Sequence, residues 1–145
     1  MASKIKTIQS DIEAKVETFF PEGGVTVLSR LRGNVTNDVL ATIAKKQMAI
    51  LVFPPSIGGI KANVLSGARA EDCRMQLRVV ENPLMNAGVV DAYEAAERLL
   101  TLNGFKTSTG DTVFLASVED ASPDNAKVRE FVIELKMALN FERYK

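Results

Sequence analysis

Near the C-terminal end, Phe131, Ile133, Leu135, Met137, Leu139 and Phe141 occupy every second position, with Glu130, Val132, Glu134, Lys136, Ala138 and Asn140 between them. A helix would scatter those bulky side chains around its circumference, whereas a strand turns them all to one face. Leu, Met, Ala, Glu and Lys favour helix locally, so the alternation runs against intrinsic propensity. It predicts a strand. At about 3.3 Å per residue, about thirteen residues reach roughly 43 Å, far beyond a typical strand. The chain has 145 residues, room for one domain over residues 1–145. A domain of that size has difficulty covering such a strand alone, and the end from Leu139 to Phe141 is a candidate to extend over a partner.

The other elements follow from the same two periodicities. Ile5, Ile8, Ile12 and Val16 form one stripe of an N-terminal helix, with Gln9, Glu13, Lys15 and Glu17 on the other side, and Pro21 with Gly23-Gly24 ends it. Val25–Leu28 reads as a short strand. Thr36 or Asn37 can cap a short second helix carrying Val39, Leu40 and Ile43. The unbroken apolar run from Met48 to Phe53, stopped by Pro54-Pro55, suits a strand covered on both faces. Ser56 to Ala68, with Gly58, Gly59 and Gly67, reads as a loop or irregular hairpin around Ile60 to Leu65. Cys73, Met75, Leu77 and Val79 then alternate with Arg74, Gln76 and Arg78, the mark of a half-buried strand. A third helix places Val89, Tyr93, Ala96 and Leu100 on its buried stripe and stops at Asn103-Gly104. Thr112–Val118 is a strand, and Ser122-Pro123-Asp124-Asn125 a turn. The expected fold is α+β: a mostly antiparallel or mixed sheet of about four to six strands packed with three helices.

Chemistry is scarce in these residues. There is no histidine, so the commonest general base and transition-metal ligand is missing, and a single cysteine cannot supply the roughly four ligands of a structural zinc site. Cys73 sits on the apolar side of its strand and reads as a buried small hydrophobe. Glu119, Asp120 and Asp124 surround a turn without the ligand order of a calcium loop. Asp91, Glu94 and Glu97 fall on a solvent-facing helix side and suit the helix dipole. Gly58-Gly59-Ile60-Lys61 lacks the Gly-Lys-hydroxyl order of a phosphate loop and reads as flexible loop. Eighteen basic residues balance eighteen acidic ones, which argues against binding carried by phosphate neutralisation. Arg30, Arg32, Lys45 and Lys46 can touch phosphate, but no base-stacking platform is visible, so sequence-specific nucleic-acid binding is not expected. No catalytic, cofactor-binding or metal site is expected. The N-terminus lacks a signal-peptide core and no run approaches the roughly 18 apolar residues of a membrane span, so synthesis in the cytoplasm and no membrane partner are expected.

Assembly is the richer theme. If the two long strands pair antiparallel, Arg74 and Arg78 face glutamates across the ladder. The charged row, Arg74, Gln76 and Arg78 with Glu130, Glu134 and Lys136, is either an ordinary solvated sheet face or a surface that meets a neighbouring subunit and sets its orientation. The glycine-bearing loop carries Pro54, Pro55, Ile57, Ile60 and Val64, and exposed apolar side chains there call for a cover. Phe141 completes the candidate contacts.

The order of these elements resembles the tail-terminator and tail-completion proteins of long-tailed bacteriophages. The likeness runs through the helix ending at Phe20, Asn37-Asp38-Val39-Leu40-Ala41 before the strand Ile50-Leu51-Val52-Phe53, the glycine-bearing loop, the strand from Arg74 to Val80, the helix from Asp91 to Leu102 and the closing strands. It covers most of the chain through patterns rather than signature residues. The resemblance implies a non-enzymatic virion protein of the tail or neck, made in the host cytoplasm. It implies a homo-oligomeric ring, typically a hexamer, that caps the tail tube. Its partners would be copies of itself, tail-tube subunits and neck or connector proteins. The alternatives are a head-completion or neck protein on the portal side, or a small metal-dependent enzyme or ligand-binding domain using Asp91, Glu94, Glu119 or Asp120.

Overall fold

A computed structural model describes residues 3–29, 48–63, 67–82, 90–122 and 128–142. Their order is α1 (Lys4–Glu17), β1 (Val25–Ser29), β2 (Met48–Val52), β3 (Ile60–Asn63), β4 (Gly67–Glu81), α2 (Ala92–Leu100), β5 (Phe114–Asp120) and β6 (Arg129–Phe141). The fold is α+β with a six-stranded sheet in the order β1-β2-β4-β6-β5, and β3 pairs with β4. The sheet is mixed, since β1 and β2 run parallel while every other pair is antiparallel. The described residues hold two helices rather than three. The short helix expected at Val39, Leu40 and Ile43 lies outside them, as do Arg30, Arg32, Lys45, Lys46, Val64, Val89 and Asp124.

β4 and β6 form the spine, paired from Ala68↔Phe141 to Glu81↔Arg129. β6 is extended as its alternation predicts: Phe131, Ile133, Leu135, Met137 and Leu139 are all buried on one face. Both helices lie on that face. Ile8, Ile12 and Val16 of α1 and Ala92, Ala95, Ala96 and Leu99 of α2 join Ile50, Val52, Met75, Leu77 and Val79 in one core cluster. The long strand is thus covered within the chain. Its end, expected to overhang a partner, pairs instead with Ala68–Ala70 of β4, and Phe141 packs half-buried against the core beneath Lys4. β2 is buried at every residue, with Ala49 and Leu51 joining Val80 in a second cluster on the opposite face.

Two helix faces differ from expectation. Gln9 is buried rather than solvated, because its amide donates to the Val52 carbonyl at 2.9 Å and ties α1 to β2. In α2 the buried stripe is Ala92, Ala95, Ala96 and Leu99, while Tyr93 and Leu100 are exposed. Small side chains predominate on that stripe, with Leu99 its one large residue. Tyr93 meets the edge of Phe131 with ring centroids 5.3 Å apart, under the Arg129 guanidinium at 4.6 Å. Both N-termini are capped: Ser3 Oγ accepts from Lys6 N–H, and Asp91 Oδ1 accepts from Glu94 N–H. No helix of the described residues is long and apolar enough to cross a membrane.

Candidate functional site

Residues 48–63 run back along residues 67–81 as one long hairpin, of which β2 and β3 are the two halves of the first arm. Phe53 N–H donates to the Gln76 carbonyl at 3.1 Å, and the Ser56–Arg74 bridge closes at 2.7 and 3.1 Å. Between these pairs, Pro54 and Pro55 together oppose Met75. Proline cannot donate to a ladder, so the arm bulges here and then resumes. The bulge leaves a depression of about 290 Å³ on the outer sheet face between Phe53, Pro54, Ser56, Arg74 and Glu134. Pro55 is buried and Pro54 half-buried.

Gly58 and Gly59, expected in a flexible loop, lie in the irregular stretch between the Ser56–Arg74 bridge and β3, yet both hydrogen-bond to β4. Asp72 N–H donates to the Gly58 carbonyl and Glu71 N–H to the Gly59 carbonyl, both at 3.1 Å. They face the irregularity in β4 between Ala70 and Cys73. A Cβ on Gly58 would stand 2.7 Å from the Asp72 carbonyl oxygen, and Gly59 has φ +62. Only glycine fits this approach without displacement. Ile57, expected to be exposed, packs half-buried against the main core, whereas Ile60 is 64% exposed.

Arg74, Gln76 and Arg78 share the outer face with Glu130, Glu134 and Lys136, as the alternation predicts, but the partners differ from a direct pairing. Arg74 lies opposite Lys136 and Arg78 opposite Val132. Each arginine reaches a glutamate diagonally, Arg74 Nη1 to Glu134 at 2.8 Å and Arg78 Nη1 to Glu130 at 3.2 Å. Arg74 also donates to Asp72 at 2.7 Å, and its hydrogen bonds to Asp72 and then Glu134 raise its pKa above the usual value. Arg78 lies 6.0 Å from the centre of the Phe53 ring. Exposed pairs of this kind add little stability. What they do is set basic and acidic side chains in alternation across the outer face of the β4–β6 ladder.

The opposite margin of the sheet carries features that the sequence patterns did not single out. β6 is the one strand paired with β5 among the described residues. On β5, Phe114 is 48% and Val118 41% exposed. The sequence makes Thr112–Val118 a strand without fixing its place in the sheet, and only the strand order shows these residues at an edge. Glu119 and Asp120 are exposed there, and hydrogen bonds from the Ser122 side chain and backbone lower the Asp120 carboxyl's pKa. A second overlooked feature is Arg98. It forks onto both Glu22 oxygens at 2.8 Å and also donates to the Phe19 carbonyl and Glu94, tying the end of α1 to α2. The Arg98 hydrogen bond is the main cause that lowers Glu22 to about 2.

Other residues singled out in the sequence have plain structural surroundings. Cys73 is buried, with its thiol 3.7 Å from the Ala70 carbonyl. Asp91, Glu94 and Glu97 are exposed on α2. Among the described residues, no three Cys, Asp or Glu side chains gather where a metal ion could sit. The chain matches no protein-family model and no curated protein.

Proposed function

We propose that the chain is a structural subunit of a phage-tail-terminator-like ring, closed by contacts between unlike surfaces of neighbouring copies, which caps a tail tube and presents its other face to a neck or connector protein. The observation that carries this reading is the placement of exposed apolar side chains at opposite margins of one rigid sheet, Ile60 on one side and Phe114 and Val118 on the other. Two different sticky margins on one body favour head-to-tail contacts, and such contacts close into rings or run on as filaments. The order of helices and strands along the chain, similar to the terminator proteins, adds support. In this role the work is stoichiometric and needs no reacting group. The outer charged face, from Arg74 and Arg78 to Glu130, Glu134 and Lys136, then selects orientation against the tube or the neck rather than supplying most of the affinity.

The test is mass in solution together with attachment to purified tail tubes. A closed oligomer, six copies in this reading, that caps tube ends is the expected result. A strict monomer at high concentration that leaves tubes uncapped would overturn it. Reversing Arg74 and Arg78 to Glu should leave the domain folded, since both guanidiniums are solvent-exposed, while impairing assembly on the tube. Unfolding of that variant would assign the arginines to the fold instead.

A further inference from the structure

Among the described residues β3 pairs only with β4 and β5 only with β6, and these two edges match each other in direction, facing, length and charge. β3 runs antiparallel to β4, β4 to β6, and β6 to β5. β3 and β5 therefore run in opposite directions within one copy, and they would meet as an antiparallel pair wherever the sheet of one copy continues into the next. Facing agrees as well. Lys61 pairs with Arg69, and Arg69 with Asn140, so Lys61 belongs to the outer face; Glu119 pairs with Val132 and belongs to the same face. Ile60, through Ala70 and Leu139, and Val118, through Ile133, both belong to the helix-covered face.

We infer that neighbouring copies of this chain join edge to edge, the outer edge of β3 in one copy pairing antiparallel with residues Ser117–Asp120 of β5 in the next. The inference rests on the ring reading above and names the edges that close it. The irregularity between Leu115 and Ser117 limits the regular part of β5 to Ser117–Asp120, which equals the four residues of β3. With these segments fully overlapped, Lys61 stands directly opposite Glu119, and Ile60 lies diagonal to Val118. Cross-strand charge and apolar pairs of that kind are favourable. The Lys61 side chain is 72% exposed, and Glu119 and Asp120 are the only charged residues of β5. The charges are thus of opposite sign across the joint and repel if two β5 edges, or two β3 edges, meet. β1 shares the β3 side of the sheet, but its residues are all half-buried and none is charged. β3 is level with the end of β6 and Ser117–Asp120 with its beginning, so each copy shifts along the strand direction relative to the last. Closed sheets carry such a stagger as a rule.

One introduced cysteine per variant, at Lys61→Cys or Glu119→Cys, tests the joint, with the native Cys73 buried away from the alkylating reagent. Mixed together and treated with a short bismaleimide, the two variants should give a covalent dimer, and each alone should give none. Lys61→Glu should weaken self-association by about tenfold or more, and Glu119→Lys in the same chain should recover it, since like charges opposed at an interface are strongly disfavoured. Native mass spectrometry reads the assembly in parallel. An oligomer with no mixed cross-link, or cross-linking of either variant alone, overturns the edge assignment and leaves the ring reading standing. A chain that stays monomeric overturns both.

Discussion

The two halves of the long hairpin are made from one continuous stretch of chain, yet they serve opposite ends. In the half formed by β2 and the last residues of β4, every residue of β2 is buried, and Leu77 sits between Val52 and Ile133 with no exposure. In the half formed by β3 and the first residues of β4, Ile60 faces solvent and charged Lys61, Arg69 and Glu71 hold one another at the surface. Backbone hydrogen bonds to β4 run through both, interrupted at the prolines and irregular at Gly58 and Gly59. What differs is the surroundings: α1 covers β2 and is tied to it through Gln9, and β1 pairs along the other edge of β2 in the same sheet. The comparison teaches that backbone pairing shapes the arm while side-chain burial decides which part of it holds the fold together. The exposed part is then available for contact.

The largest effect expected from breaking this contrast is Leu77→Ala. It deletes a side chain with no exposure at the centre of the sheet and should cost about 2–5 kcal/mol in chemical denaturation, as large-to-small core substitutions do. Next comes Gly58→Ala at the junction of the halves. The added Cβ would meet the Asp72 carbonyl at 2.7 Å, so the ladder must open locally. A loss of about 1–3 kcal/mol is expected, in the range of overpacked sites. Hydrogen exchange should quicken at Asp72 and Glu71 while Leu77 keeps its protection. Equal quickening at all three would mean that the arm is one cooperative unit and that the contrast is false.

How far the sequence revealed this depends on which signal each segment carried. β6 was legible because strict alternation over its whole length admits one facing only. β4 was legible from Cys73 to Val79 but not back to Gly67, because the irregularity between Ala70 and Cys73 puts two buried residues three apart and breaks the period of two. The glycines read as loop because their purpose, letting two backbones approach, appears only when Asp72 is beside them. On α2, Ala96 is buried as expected, but Tyr93 and Leu100 are exposed and their neighbours Ala92 and Leu99 face the sheet, a one-residue difference in phase that apolar spacing over nine residues does not resolve. Among the candidate contacts, the charged face was legible in composition but not in partners, since diagonal reach depends on register. The β5 edge was not legible at all. Phe114 and Val118 carry no mark of being at a margin until strand order is known.

A smaller effect separates the layer over the first half from the arm itself. Glu22→Gln removes the charged partner of the Arg98 fork that ties the turn after α1 to α2. Glu22 has its pKa lowered from 4.5 to about 2 in the folded chain, so its contribution is complete above the unfolded carboxyl pKa and fades as pH falls from about 4.5 to about 2. The carboxylate is exposed and screened, so a Tm difference of a few degrees or less between the wild-type chain and the variant at neutral pH is expected. That difference should vanish as the solution is acidified through this window. A gap that persists at pH 2 would show that the fork acts through neutral hydrogen bonds rather than charge.

The smallest expected change in stability is also the sharpest test of the contrast. Ile60→Ser alters the most exposed large apolar side chain among the described residues and removes no buried surface from the core. Surface substitutions of this kind usually shift stability by no more than about 0.5 kcal/mol, and removing exposed apolar area lowers the drive for association instead. The variant should therefore unfold at the same denaturant midpoint as the wild type and self-associate less. If its midpoint falls as far as that of Leu77→Ala, Ile60 belongs to the fold, and the division of one hairpin into a holding half and a docking half is wrong.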